Sequence, residues 1–208
     1  MNVIGSRDSM LWALDRVPTK LDPLLGRLAV EMAVALAGWD LDTIAKFVMT
    51  FATSPRLMFD MPQTVTNRKA SWNEGTMDML DGVEFPLLSA CSRDDATRRI
   101  WRAQTTVLFG WLEAERSEFL SRHRRTILES ARRRGAPVAD LDALEWSEIA
   151  RLAKATFGAR DRRTEFADEA RAARNALAHL KPIHYEQFAR SRSFSRSDRG
   201  KESAPASQ

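Results

Sequence analysis

The chain has 208 residues and a mass of 23.5 kDa, which suits one ordinary domain or a small domain carrying a helical arm. It is 44% hydrophobic and 29% charged, and Ala, Leu, Arg and Glu outweigh the β-branched residues, which argues against an all-β fold and for helices. One cysteine, Cys91, excludes an intramolecular disulfide and a zinc site built on several thiolates, and three histidines, His123, His179 and His184, leave little for a multi-histidine metal centre, so no metal or other cofactor is expected.

The net charge of +4 is unevenly spread. Residues 1–95 carry 9 Lys/Arg against 13 Asp/Glu, and residues 96–208 carry 23 against 15. The basic half suits a polyanionic partner, although 26 of the 32 basic residues are Arg, a bias that a GC-rich genome also produces. No basic start followed by an apolar run opens the chain, and the stretch from Leu28 to Gly38 contains Glu31 and falls far short of the roughly 20 residues of a membrane span. The expectation is a cytoplasmic protein with no membrane partner.

In chain order, LDPLLGRLAVEMAVALAGW predicts a helix closed by Gly38, with Arg27 and Glu31 four apart as a surface pair. Asp40 or Asp42 can cap the next helix, DTIAKFVMTF, which Ser54-Pro55 stops. AGWDLDTIAKF has the rhythm of a helix-turn-helix, but it lies in the acidic half with few cations to meet phosphate. The polar stretch from Asp60 to Ser71 predicts an irregular loop.

From Asp94 a helical repeat of Ile100, Val107, Leu108, Trp111, Leu112, Phe119, Leu120 and Ile127 predicts one long helix or two in succession, broken at Gly135-Ala-Pro137. Asp140 or Asp142 opens a helix with Leu144, Ile149, Leu152 and Phe157 on its apolar stripe and Gly158 at its end. A last helix starts near Thr164, whose hydroxyl can cap it, and runs until Pro182. From about Arg190 the sequence lacks core-forming residues and predicts a disordered basic tail. The organisation expected is a helical N-terminal region over 1–95, a helical bundle over 96–189 and a tail over 190–208.

On the last helix, at about 100° per residue, Phe166, Ala170, Ala173, Leu177 and Leu180 fall in one sector that predicts a packed face. Arg171, Arg174, Asn175 and His179 lie outside it among small alanines, a composition that marks a contact surface rather than a solvated face. Elsewhere, His123 in SRHRR is expected on a charged, solvated face, and His184 is expected to pack partly beside Tyr185.

The segment Arg174-Asn-Ala-Leu-Ala-His179 resembles the Arg-x4-His motif of the HEPN superfamily of ribonucleases, in the form with Asn directly after the Arg and Ala before the His. The resemblance covers about 100–188: a long helix with acidic and basic residues, a shorter helix beginning around Trp146, Phe157 and Phe166 at the next turn and helix start, and the motif closed by Lys181-Pro182. Two departures are Leu180, where many relatives carry a polar or small residue, and the late start of the domain, with 1–95 unaccounted for.

This resemblance implies an all-α fold, a four-helix up-and-down bundle that forms a homodimer and brings two motifs to one cleft. It implies a metal-independent endoribonuclease that cleaves RNA through 2′-OH attack, used as a toxin or antiviral defence effector, with an antitoxin or regulatory protein as a further partner. The alternative it leaves is a non-catalytic module for dimerisation or for binding RNA or protein. Histidine titrates near neutrality and suits proton transfer, so His179 is the acid or base. The planar fork of Arg174 suits phosphate oxygens in the transition state. Asn175 can position the 2′-hydroxyl or the phosphate. Arg171 and Lys181 are expected to contact RNA, with an ion pair to Glu165 or Asp168 as the competing role for Arg171. Glu113 and Glu115 are candidates for the upstream acid that orients Arg174. For residues 1–95 three roles stay open, an autoinhibitory or antitoxin-like cover, a specificity element or extra bundle, and their acidity would suit a cover over a basic cleft.

Overall fold

A computed structural model describes residues 5–60, 71, 75–135 and 140–192. The chain is mostly helical, with α1 (Ser6–Leu14), α2 (Pro23–Ala37), α3 (Leu41–Thr53), α4 (Leu57–Asp60), a two-stranded sheet of β1 (Met77–Leu80) and β2 (Val83–Pro86), then α5 (Arg93–Arg133), α6 (Trp146–Phe157) and α7 (Arg162–Ala178). A further helical segment spans 185–192. Among the described residues no helix is long and apolar enough to cross a membrane. The expected loop from Asp60 to Ser71 falls outside the described residues except at its two ends, as does 136–139 beyond Gly135. Two compact units divide the chain, residues 1–109 with 180–185, and residues 110–179 with 186–208.

In the first unit α2 is the central element. Asp22 accepts from the amides of Leu24 and Leu25, and Pro23 opens the helix where its missing N–H costs nothing. Leu28, Val30, Met32 and Leu36 are all buried, which fits a helix packed by α1 and α3. Gly38 ends it at φ 62, and a Cβ there would stand 2.4 Å from the Phe85 ring, so both the backbone and the neighbour require glycine. Asp40 caps α3 through the Thr43 amide at 3.0 Å, and Ile44, Val48 and Phe51 form its buried face.

The β1–β2 hairpin has no counterpart in the sequence reading. Leu80 pairs with Val83 around Asp81-Gly82, both with positive φ (52 and 79), the type I′ geometry that Asp-Gly favours. The Asp81 carboxylate also takes the Ser6 amide at 2.9 Å, supplying the side-chain acceptor that Gly5 cannot offer to α1. These Ser6 bonds hold the Asp81 carboxyl below its ordinary value.

Ser92 and Asp95 exchange hydrogen bonds at the start of α5, which is one continuous helix rather than two. Every apolar residue of its predicted stripe is buried except Trp111, which is half-buried. Within the first unit the buried Gln104 side chain donates to the Ile183 carbonyl at 3.2 Å and accepts the Ile183 amide at 2.8 Å.

The second unit centres on aromatic packing. Trp146 is 1% exposed, with Phe166 edge-on at 5.7 Å and Phe119 at 6.3 Å. Glu145, not Asp140 or Asp142, stands at the N-terminal cap of α6, and its amide donates to the Glu148 carboxylate at 3.1 Å. Asp140 instead accepts the Asp142 amide at 2.9 Å in a local turn, and the Asp142 and Leu144 carbonyls are drawn to Arg116. Leu144 therefore precedes the helix. His123 is half-buried, not solvated: four residues after Phe119 it lies on the same helix face, edge-on to Phe119 at 4.8 Å and to Phe157 at 5.3 Å. The helical segment 185–192 enters what the sequence reads as tail, with Ser191 buried and Arg190 on Glu169 at 2.8 Å; the tail from 193 lies outside the described residues.

Candidate functional site

Helix α7 carries three of the candidate residues, Arg171, Arg174 and Asn175, and His179 follows its last residue. Its cap is Asp161, not Thr164. The carboxylate accepts the Arg163 amide at 2.8 Å and holds the Arg163 guanidinium by two bonds of 2.8 Å, while Arg163 lies over the Phe157 ring at 3.8 Å. A charged acceptor with these partners outcompetes the Thr164 hydroxyl, which is buried in the first turn.

The bonds from the Arg163 side chain and amide, with the charges of Arg163 and His123, pull the Asp161 carboxyl down to about 2 against the cost of burial. A carboxyl depressed on folding adds stability above its unfolded value, near 3.9, and loses it as the pH falls through about 2. Asp161→Ala is expected to lower stability by about 0.5–2 kcal/mol at pH 7. The gap to the parent protein should close between about pH 4 and pH 2, read by urea unfolding across that range.

Phe166, Ala167, Ala170, Ala173 and Leu177 form the buried face of α7. Leu180 does not extend it. The helix stops at Ala178, His179 turns to φ −101, and Leu180 takes φ 59 and stands 64% exposed, because helical periodicity ends before it. The αL position after a helix end is usually glycine; here a leucine occupies it.

Arg174, Asn175 and His179 occupy the end of this one helix. The Arg174 side chain is 34% exposed and pairs with Glu145 at 3.1 Å. Glu145 is thus the carboxylate facing Arg174, whereas Glu113 pairs with Arg116 and Glu115 accepts the Trp111 indole N–H at 3.0 Å. Asn175 and His179 are exposed. The His179 amide donates to Asn175 and Ala176 carbonyls at 3.0 and 3.1 Å, and its imidazole has no hydrogen-bond or ion-pair partner among the described residues. Arg171, one turn earlier, pairs with Asp168 at 3.0 Å with both side chains about half exposed, which is the competing role set out above. Lys181 is exposed and belongs to the first unit, where it is described apart from the α7 cluster. His184 is exposed too, not packed beside Tyr185, whose ring instead meets Phe59 edge-on at 5.8 Å.

Chemically, the end of α7 offers an accessible imidazole for proton transfer, an amide able to donate and accept, and a guanidinium held by one exposed carboxylate that a phosphate could displace. Glu145 is the residue that sequence reasoning misses. Its signal is weak, an acidic residue just before a helix 29 positions upstream of Arg174. Among the described residues no group of three His, Cys, Asp or Glu side chains is placed to hold a metal ion. No family model matches the chain, and neither a curated protein nor a solved structure matches it.

Proposed function

We propose that the chain is a metal-independent endoribonuclease of the HEPN type, acting as a homodimer on RNA. The observation that supports this most is the end of α7, where, among the described residues, the exposed His179 imidazole has no side-chain partner and the only partner of Arg174 is an exposed carboxylate. The four helices of the bundle would be α5, α6, α7 and the segment 185–192.

In this mechanism one His179 takes the proton of the 2′-hydroxyl as that oxygen bonds to phosphorus. The bond from phosphorus to the 5′-oxygen breaks, and the His179 of the second copy, acting as the general acid, donates its own proton to that oxygen. Arg174 leaves Glu145 to neutralise the phosphorane-like transition state, and Asn175 fixes the reacting oxygen. Arg171, released from Asp168, holds a flanking phosphate, and Lys181 is a separate RNA contact. The products are a 2′,3′-cyclic phosphate and a 5′-hydroxyl.

The pairs Arg174–Glu145 and Arg171–Asp168 favour a second reading, a non-catalytic RNA- or protein-binding module whose arginines are structural. Incubating the purified full chain with single-stranded RNA in excess EDTA separates the two. Cleavage with cyclic-phosphate ends supports the nuclease, and intact RNA at every protein concentration across the dimerisation range leaves only the binding module.

A further inference from the structure

A cavity of about 530 Å³ lies within the first unit, and four elements each turn one face to it. Ser6 and Met10, four apart, come from α1; Glu31, Val34 and Ala35 come from α2. Arg99, Arg102, Ala103 and Thr106 line it from α5 at helical spacing, and Leu80, Val83 and Phe85 line it from the hairpin. Its volume falls in the range of small-molecule sites, and its wall is mainly apolar with a few charged groups, the usual make-up of such sites.

The charges are not used up within the fold. Arg99 lies over the Phe85 ring at 3.8 Å and donates to the Pro86 and Leu36 carbonyls, and burial pulls its guanidinium below its ordinary value. Neither Arg99 nor the exposed Arg102 has a carboxylate at ion-pair distance among the described residues. Glu31 is half-buried and likewise has no ion-pair partner among them; burial pushes its carboxyl up, offset in part by the charge of Arg27. Asp81, the other acid in the wall, is already committed to Ser6.

A wall of this kind selects by exclusion. A simple anion would meet Glu31, a simple cation would meet two guanidiniums, and a wholly polar solute would leave the apolar lining unfilled. We propose that the cavity binds a small apolar zwitterion, an amino acid or dipeptide, with its carboxylate on Arg99 and Arg102, its ammonium on Glu31 and its side chain against Met10, Val34 and Leu80. The fork of an arginine suits a carboxylate, and each charge-assisted contact in a partly buried site is strong enough to discriminate. The site is independent of the proposed nuclease, so either can fail alone.

Calorimetric titration of the full chain with L-phenylalanine and with L-phenylalanyl-L-leucine tests the proposal and separates the two sources of the zwitterion. Saturable binding of at least one is expected. For an amino-acid site, N-acetyl-L-phenylalanine and L-phenylalaninamide, which lack the ammonium and the carboxylate, should bind about tenfold or more weakly; for a dipeptide site the N-acetylated and amidated dipeptides should. Glu31→Gln and Arg102→Gln should weaken the zwitterion by a similar factor, and Ala35→Leu should block it by filling the cavity, each with an unchanged circular dichroism spectrum. No saturable binding of either zwitterion overturns the proposal. So does equal affinity for the neutralised analogues, or affinity unchanged in all three variants.

Discussion

His179→Ala is expected to lower RNA cleavage by about 10²–10⁴-fold, the usual worth of a positioned acid or base. Stability should not follow activity. The imidazole is exposed, and the bonds that end α7 come from the His179 backbone amide, which alanine keeps. The unfolding midpoint is therefore expected within the small range of surface substitutions. Arg174→Ala should behave alike: the Glu145 pair it loses is solvent-screened, and such pairs contribute at most about 1 kcal/mol. Arg174→Lys keeps the charge without the fork and should retain only part of the activity. Quantitative cleavage time courses beside urea unfolding read both axes. If His179→Ala cleaves as fast as the parent protein, the imidazole takes no part in the chemistry and the proposed nuclease mechanism fails.

Trp146→Ala is expected to cost about 3–5 kcal/mol, the largest stability loss of any single change considered. The indole is 1% exposed among Phe119 and Phe166, so its removal leaves a void that ring neighbours cannot close by rotating. Its ring nitrogen has no hydrogen-bond partner among the described residues, so the loss is one of packing. Trp146→Phe should accordingly cost much less than Trp146→Ala. Urea unfolding of both variants checks this, and equal midpoints would mean that the unit is not held by this cluster.

Much of the helical framework is legible in the sequence, because apolar spacing and helix punctuation act locally. Gly38, Asp40 and Gly158 stand at the helix ends where their chemistry predicts. The stripe of α5 and the buried face of α7 up to Leu177 follow from periodicity. What escapes is set by competition or by distance along the chain. Asp161 displaces Thr164 as cap because it also gathers Arg163, and Leu180 leaves the apolar sector because the helix ends two residues earlier. His123 is hidden by its cationic neighbours in sequence, although its spacing from Phe119 directs it inward. The hairpin was signalled by Asp81-Gly82, but its strands are too short for an alternation to stand out. At the site itself, Arg174, Asn175 and His179 are adjacent on one helix and so are visible from spacing alone, whereas Glu145 faces Arg174 only once α6 and α7 pack.

The two bonds between the Gln104 side chain and the Ile183 backbone make a primary amide stand in for a neighbouring β-strand. Residues 181–184 have no regular secondary structure, so their amide protons would ordinarily trade with deuterium as fast as those of an open peptide. Ile183 should be the exception, a slow-exchanging proton in a stretch of fast ones, and Gln104→Ala should release it to the solvent rate.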